Sequence, residues 1–308
     1  MTAAAVPPPV GLGARPGAGT IVAFAVISVV WGSTWLVIKD QISVVPPAWT
    51  ITWRFVLAGA CMFALAAVRR ESLRLPPGGQ ALAGLIGFTQ FALNYQFVYH
   101  AERFLTSGLV AVLFALLMVP NALLAARFLA APVSRRFLAG SAVAVAGIGL
   151  LVLHEIHLAP AIGHVALGIV LAVAGLLAAS VANVAQAAPR GLACRPVPLL
   201  AWAMLWGTLI DAAWALASDG PPVFDPRPAY AGGVAYLAIV GSVLPVPLYT
   251  RLIREIGAGN AAYTSVVTPI VAMLLSTLFE GYRWTLLAVA GSVLAMAGLL
   301  IALGARRG

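Results

Sequence analysis

The chain has 308 residues, of which 62% are hydrophobic and only 9% are charged, and its formal net charge is +9. Charged residues alone make up about a quarter of an ordinary soluble domain, so this composition excludes one: too few polar side chains remain to cover its surface. The positive charge does not indicate nucleic-acid binding either, because Lys and Arg stand singly or in pairs between apolar runs. The solvent around most of the chain is therefore expected to be lipid.

The first 19 residues are rich in Pro, Gly and Ala and carry one charge, which predicts a flexible tail. The apolar run after them is long enough to span a bilayer, and it fits an uncleaved first helix better than a signal peptide. A hydrocarbon core of about 30 Å requires about 20 apolar residues in a helix. On this criterion ten spans are predicted, near residues 20–38, 46–68, 79–99, 104–127, 136–153, 163–186, 197–217, 229–250, 258–279 and 284–304. The short connections leave no room for a soluble domain.

The basic residues predict the orientation of these spans. The tail and the connections after even-numbered spans hold 13 Lys and Arg residues, whereas the connections after odd-numbered spans hold 4. Cytoplasmic loops carry the excess of basic residues, so both termini are expected in the cytoplasm. The sequence thus predicts a multi-pass protein of the bacterial inner membrane, surrounded by lipid.

The two halves of the sequence resemble each other. Trp49 and Trp53 in span 2 match Trp202 and Trp206 in span 7, each pair four residues apart and each preceded by alanine, and VAVAGIGLLV (143–152) resembles VLAMAGLLIA (293–302). Because each half has five spans, an odd number, the second half must be inverted relative to the first. The predicted fold is therefore an all-α integral membrane protein of two inverted five-helix repeats, residues 20–154 and 163–304. Inverted repeats are typical of transporters with a substrate site near the midplane.

Particular stretches also carry a family resemblance. VVWGSTWLVIKD (29–40), VPPAWTITWRFVLAGACMF (45–63) and LFEGYRWTLLAVAGSVLAMAGLLIAL (278–303) resemble the EamA type of the drug/metabolite transporter superfamily. The resemblance implies ten helices, an inverted five-plus-five repeat and export or exchange of small metabolites, among which amino acids are prominent. One departure stands out: the Gly-Glu pair expected after span 4 is replaced by residues 128–131 (FLAA), while Glu280-Gly281 is kept after span 9.

Polar residues inside apolar spans are candidates for substrate binding, because polar groups in hydrocarbon mark either helix contacts or a wet cavity. Gln90 and Asn94 are four residues apart and share one helical face. Asn183 belongs to a second polar stripe, and tyrosines combine a flat ring with a hydroxyl. Hydrogen bonding between or within helices is the alternative for all of them. The candidates are Ser33, Thr34, Gln90, Asn94, Tyr95, Asn183, Tyr249 and Tyr263.

Gating candidates are the tryptophan of the WGS stretch (31–33) and prolines that free backbone carbonyls by kinking their helices. These residues are Trp31, Pro120, Pro245, Pro247 and Pro269. Arg54 lies about 10 Å along span 2 and is expected to snorkel outward rather than to contact substrate. Asp211, the only acid deep in a span, could pair with Arg54 or carry a proton.

These features favour a small-metabolite transporter, most directly an exporter or facilitator of amino acids working by alternating access as a monomer or homodimer. Export of another metabolite or a drug is one alternative. An intramembrane enzyme acting on a lipid or lipid-linked substrate is another, but no concentrated set of catalytic groups is visible. His154, His157 and His164 with Glu155 match no compact metal motif. We therefore expect no catalytic activity, no metal, no cofactor and no nucleic-acid partner.

Overall fold

The computed structural model describes residues 17–158 and 162–304, and within these ranges all regular secondary structure is helical. The predicted all-α class is confirmed. Of the predicted tail, residues 1–16 lie outside the described residues, and Ala18 already begins a helix. The helices are α1 (Ala18–Gln41), α2 (Pro47–Val68), α3 (Gly79–Ile86), π1 (Gly87–Asn94), α4 (Tyr95–Ala101), α5 (Ser107–Ala115), α6 (Met118–Leu129), α7 (Arg135–Leu158), α8 (Ile162–Ala187), α9 (Pro189–Leu192), α10 (Pro196–Ser218), α11 (Pro228–Ala235), π2 (Tyr236–Val243), α12 (Pro245–Ala261), α13 (Thr264–Phe279) and α14 (Leu286–Gly304).

Eight helices in the described part of the chain are long and apolar enough to cross a membrane. They cover Ala18–Gln41, Pro47–Val68, Ser107–Leu129, Arg135–His157, Ile162–Ala187, Pro196–Ser218, Pro228–Ile253 and Leu286–Gly304. Thr264–Phe279 is apolar but shorter. Large apolar side chains such as Val170, Leu278 and Val293 are exposed on the outside of the bundle, which is what a surface in contact with lipid requires.

One predicted boundary is wrong. The ninth span was expected to begin near residue 258, but α12 continues through Ala261 and α13 begins at Thr264. The stretch GAGNAAYTS (257–265) has no proline and no charge that would end a helix, so hydropathy alone cannot locate the turn between α12 and α13.

Two π-helices occur that the sequence pattern does not predict. Each lasts eight residues and directly follows an eight-residue α-helix, as π1 after α3 and π2 after α11. π-helices occur mostly as short insertions within α-helices, and frequently at functional sites. The residues of π1 and π2 are therefore candidates for the functional site. Both line the interior cavities described below.

The helices pack so that both halves of the chain contribute to the centre. α2 packs against α10, and α7 packs against α14. α1 contacts α12 and α13, while α8 contacts α4, α6 and π1. The first helix of each half therefore packs against later helices of the other half, and the cavities lie between these helices.

The α7–α14 contact depends on glycines. A Cβ atom added at Gly147 would lie 2.2 Å from the backbone nitrogen of Ala295, and one added at Gly298 would lie 2.2 Å from the backbone nitrogen of Ala144. Small residues allow helix backbones in a membrane to approach closely, and close packing holds such pairs together. By contrast Gly149, on the same helix, has open space around it.

The two ends of the bundle differ in composition. The arginine end holds Arg69, Arg195 and Arg251. The start of α1 lies at this end, as shown by the hydrogen bond that the Thr20 hydroxyl donates to Glu255 at 2.7 Å. The Glu280 end, where α1 finishes and α13 leads into α14, holds Lys39, Glu102 and Glu280. We use these two names below.

Candidate functional site

The interior of the bundle contains a deep cavity of about 270 Å³. Helices α1, α2, α4, α5, α8 and α13 and both π-helices supply its walls. Its residues are Trp31, Thr34, Trp35, Ile38, Arg54, Gln90, Asn94, Tyr95, Val98, Ala111, Phe114, Ala115, Leu117, Ala179, Gly241, Ser265, Thr268 and Pro269. A drug-sized ligand site is commonly a cavity of a few hundred Å³ with a small number of placed polar groups, and the deep cavity fits that description.

A second, larger cavity of about 690 Å³ continues from the deep cavity toward the arginine end. The two share Trp31, Gln90, Tyr95 and Phe114 among their lining residues. We call the larger one the mouth cavity, because residues at helix ends line it: Gln186, Pro196, Ala262 and Leu303. Beyond it lies a third cavity, the arginine vestibule, lined by Arg69, Glu71, Arg195, Pro196, Val197, Val246, Pro247, Arg251 and Glu255.

Arg54 is the charged residue that lines the deep cavity. Its side chain is 3% exposed, and the guanidinium donates to the Tyr99 hydroxyl at 3.0 Å, to the Ser242 hydroxyl at 3.1 Å and to the Tyr95 hydroxyl at 3.4 Å. It also lies 4.7 Å from the centre of the Tyr95 ring, a cation–π distance. All of these partners are neutral. Within the described residues no carboxylate lies in ion-pairing range of Arg54.

The buried carboxyl group of Glu102 interacts with Arg54 electrostatically, but from beyond ion-pair contact. A buried charge without a contacting counterion costs several kcal/mol, so this arrangement needs a physical reason. Of the two N–H groups on the Nη1 atom, one donates to Tyr99, and a guanidinium has five donors in all. Three residues that line the deep cavity also have a buried polar atom with no hydrogen-bond partner among the described residues: Trp35 Nε1, Asn94 Oδ1 and Thr268 Oγ1. Unsatisfied buried polar atoms are uncommon in proteins.

The Glu280 end of the bundle is held closed by charged side chains. The Glu280 carboxylate accepts hydrogen bonds from the backbone nitrogen of Ser107 at 3.1 Å and from its hydroxyl at 3.1 Å. Ser107 is the first residue of α5, so a side chain from the α13–α14 connection caps that helix, where a negative charge is favourable. Lys39 at the end of α1 donates to the carbonyl oxygens of Glu102 and Leu105, the latter at 2.8 Å.

An aromatic layer lies between this closed end and the deep cavity. The rings of Trp35 and Phe114 are 5.2 Å apart, and both line the deep cavity. The Ser107 hydroxyl oxygen also lies 3.2 Å from the Trp35 carbonyl oxygen, a second acceptor for its single proton, and this contact places the layer beside the Glu280 cap. The cavities are thus blocked toward the Glu280 end and continue toward the arginine end.

The structure brings most of the predicted substrate residues to the cavities. Thr34, Gln90, Asn94 and Tyr95 line the deep cavity, and Asn183 and Tyr249 line the mouth cavity. Ser33 and Tyr263 line neither of these two cavities. Ser33 shares a 2.6 Å hydrogen bond with the Tyr236 hydroxyl, and Tyr263 packs in an apolar cluster with Leu299.

The predicted gating residues occupy different places. Trp31 lines both cavities and packs against Tyr249 with a ring separation of 5.5 Å, while Pro269 lines the deep cavity and Pro245 the mouth cavity. Pro247 lies in the arginine vestibule. Pro120 lies in α6 and has no N–H to donate to Leu116, whose carbonyl instead accepts from Val119 at 2.8 Å, so the helix is interrupted there.

The expectation for Arg54 is wrong, and the ion pair considered for Arg54 and Asp211 does not occur. Arg54 does not snorkel outward, because it is buried and held by tyrosine and serine hydroxyls. Nor does it pair with Asp211, whose Oδ1 accepts from the Gln96 side chain at 2.9 Å. Asp211 is fully buried between α10 and α4 and lines none of the three cavities above. Helix rotation, which the sequence does not show, directs the two side chains to different neighbours.

Several residues of the site had no signal strong enough to identify them in the sequence. Ser242 and Gly241 lie in π2, and Ser242 reaches Arg54 from 188 residues away. Tyr99 and Trp35 read as ordinary aromatic residues of apolar spans. The predicted histidine cluster forms no metal site in the part of the chain that the structure describes: His154 instead hydrogen-bonds the Thr285 hydroxyl at 2.9 Å.

The bundle consists of apolar helices around interior cavities, and these cavities continue toward one end of the bundle. This architecture defines the class: a polytopic membrane protein with room for a small molecule in its interior. The chain belongs to the EamA-like transporter family, whose profile matches residues 19–153 and 166–304. The family is one of membrane transporters, so a small-molecule substrate and a membrane location follow from membership.

Individual relatives are more distant. The chain is 28% identical over 285 residues to the uncharacterized inner membrane transporter YedA of Escherichia coli K12, covering 90% of this chain and 88% of that one. It is 28% identical over 287 residues to a probable amino-acid metabolite efflux pump of Salmonella typhimurium, covering 89% of this chain and 91% of that one. A solved crystal structure of a protein superposes with a TM-score of 0.65 at 21% identity, covering 96% of this chain and all of the other, which supports the fold alone.

Proposed function

We propose that this protein is an inner-membrane exporter or facilitator of small metabolites that works by alternating access, with amino acids as the first class to test. The observation that carries the proposal is the pair of connected cavities, which continue to the arginine end and are blocked at the Glu280 end. A carrier needs a site that reaches one side of the membrane at a time. The name of the Salmonella efflux pump supports amino acids as candidates.

The proposal includes ten spans in two inverted repeats, residues 20–154 and 163–304. Two family matches fall on these halves, and the π-helices recur at the same point of each half. The tryptophans of α2 and α10 also behave alike: Trp53 donates to the carbonyl of Val223 at 2.8 Å, and Trp202 donates to that of Leu73 at 2.9 Å. In each case a helix of one half holds the loop after the corresponding helix of the other half.

The proposed orientation places the arginine end and both termini in the cytoplasm. Reporter fusions after residue 304 and within the 158–162 connection should therefore report opposite sides of the membrane, because the five predicted spans of the second half, an odd number, separate these points. Alkaline phosphatase activity and fluorescent-protein emission measure the two locations. The same side for both fusions would exclude the ten-span arrangement.

The proposal makes the protein a facilitator rather than a proton-driven pump. A carrier coupled to protons needs a titrating group that is reached from each side in turn. Asp211 is the acid deep in the described spans, yet it is sealed away from the cavities. Its Oδ2 and the Gln96 Oε1 are both without a partner, an arrangement that a proton held on Asp211 could satisfy by hydrogen bonding within the pair.

We therefore expect Asp211→Asn to change downhill transport less than twofold, since an asparagine amide can donate where a protonated acid would. The measurement uses purified protein in proteoliposomes with a panel of labelled amino acids and organic acids, with and without an imposed pH gradient. Protein-free vesicles provide the background. Uphill accumulation driven by the gradient, and lost in Asp211→Asn, would contradict the facilitator mechanism. A panel in which nothing is transported would contradict the proposed function itself.

A further inference from the structure

We propose that Arg54 binds the carboxylate of the transported substrate in the deep cavity, and that the carboxylate is the group required for recognition whereas an ammonium group is not. The inference rests on the proposed transport function and names the substrate class. Arg54 is the one charged residue among those that line the deep and mouth cavities within the described chain. It therefore sets the sign of charge that these cavities accept.

The surroundings of Arg54 favour an added anion. Among the described residues its hydrogen-bond acceptors are the hydroxyls of Tyr95, Tyr99 and Ser242, which orient the guanidinium but carry no charge. The carboxyl group of Glu102 acts on it only from beyond ion-pair contact. A planar guanidinium with an N–H to spare matches a carboxylate, and charge-assisted hydrogen bonds of this kind are stronger than neutral ones.

No comparable group awaits a positive charge. The deep and mouth cavities have no Asp or Glu among their described lining residues, and the unpartnered acceptor Asn94 Oδ1 is neutral. A neutral carbonyl can accept one hydrogen bond from an ammonium or a hydroxyl, but it gives no charge-based preference between them. An amine on the substrate is thus tolerated rather than required.

The remaining walls suit an apolar body. Trp31, Trp35, Tyr95 and Phe114 present aromatic rings around the cavity. Gly241 allows π2 to approach α1 closely beside the guanidinium: a Cβ there would lie 2.9 Å from Thr34 Cγ2 and 3.7 Å from Arg54 Nη2. The substrate class is therefore a small carboxylate with an apolar body, with or without an amine.

The approach to the site carries the same sign of charge. Arg69, Arg195 and Arg251 line the arginine vestibule, against two acids, Glu71 and Glu255. Basic residues around an entrance raise the local concentration of anions. Arg251 is bonded to Glu255 at 2.6 Å, which leaves Arg195 as the vestibule cation without an ion pair among the described residues.

The test compares four ligands that share a phenyl group: phenylalanine, 3-phenylpropionate, phenylalaninamide and phenethylamine. Binding to the purified full-length protein is measured by calorimetry. The two carboxylates should bind about 10- to 100-fold more tightly than the amide and the amine, a range expected for a charge-assisted interaction. Removal of the ammonium, from phenylalanine to 3-phenylpropionate, should change affinity by less than about threefold.

Variants assign the effect to Arg54. In Arg54→Gln the preference for carboxylates should disappear, whereas Arg54→Lys, which keeps the charge, should retain part of it. Arg127→Gln is the matched control, because Arg127 is exposed on α6 and lines none of these cavities. If Arg54→Gln does not fold, two measurements remain: the ratio of carboxylate to amide affinity in the wild-type protein, and the same ratio in Arg54→Lys.

Three results would overturn the proposal: equal affinity for the amide and the carboxylates, no binding by either carboxylate, or an unchanged preference in folded Arg54→Gln. Transport in the proteoliposome panel separates these from failure of the proposed function. A protein that moves amines or neutral metabolites would remain a carrier but would not use Arg54 as a carboxylate site.

Discussion

Replacing Gly147 with valine is expected to destabilise the protein by at least about 2 kcal/mol, because the new side chain cannot fit between α7 and α14. Even a single Cβ at this position would lie 2.2 Å from the backbone nitrogen of Ala295 and 2.7 Å from the carbonyl oxygen of Gly291. Both are backbone atoms, so the strain is relieved only by moving one helix away from the other. Loss of the α7–α14 contact then follows, since packing provides most of the attraction between helices in lipid.

Gly149→Val is the matched control for this prediction. It introduces the same side chain two residues away on the same helix, at an exposed position with nothing within 4 Å of the added Cβ. Thermal unfolding in one detergent should show a clear decrease in midpoint for Gly147→Val and little change for Gly149→Val. Equal losses would mean that helix propensity, rather than the interhelical contact, determines the effect.

Replacing Glu280 with alanine is expected to open the Glu280 end of the bundle and to shift the carrier toward the state that faces that side. The carboxylate caps the start of α5 through the backbone nitrogen and hydroxyl of Ser107, and a cap of this kind contributes about 0.5–2 kcal/mol. Loss of 1–2 kcal/mol from the closed state changes its ratio to the open state by about 5- to 30-fold. The cavity should then be reached more readily from the Glu280 side.

Cysteine labelling measures this shift. Ala111→Cys places a thiol in the deep cavity, in a background where the free cysteines Cys61 and Cys194 are replaced by alanine. A membrane-impermeant maleimide added from the Glu280 side should label residue 111 about 5- to 30-fold faster in Glu280→Ala. Asp219→Ala is the control, since that exposed acid lies at the same end and, among the described residues, its carboxylate accepts a hydrogen bond from the adjacent Ser218 alone. Equal rates in the two variants would show that Glu280 does not hold this end closed.

The Glu280 cap also suggests a structural consequence of the Gly-Glu pair that is missing after span 4. The glutamate kept after α13 closes one end of the bundle, whereas the corresponding residues at the end of α6, 128–131, offer no carboxylate. In this structure the cavities continue toward the end that lacks such a cap. The asymmetry between the repeats, visible in the sequence, thus coincides with the asymmetry between the ends.

The sequence predicted the helical class, the approximate spans and part of the site. Long apolar runs interrupted by short charged connections leave helices as the structure that satisfies every backbone group in lipid. For the same reason a polar residue within such a run stands out, and Thr34, Gln90, Asn94 and Tyr95 do line the deep cavity. Hydropathy could not find the π-helices, because one widened turn leaves composition unchanged.

The sequence by itself therefore determined that lipid surrounds the helices and which polar residues are candidates for the site. Both conclusions depend on the polarity of each residue within its own segment. The tertiary structure alone decided which partners these candidates meet. Arg54 lies against Ser242, Asp211 lies against Gln96, and Ser33 lies against Tyr236. Each of these contacts joins helices more than 100 residues apart, and each depends on how far a helix is rotated about its axis. That rotation is set by packing against glycines and rings of distant segments, which no local pattern records.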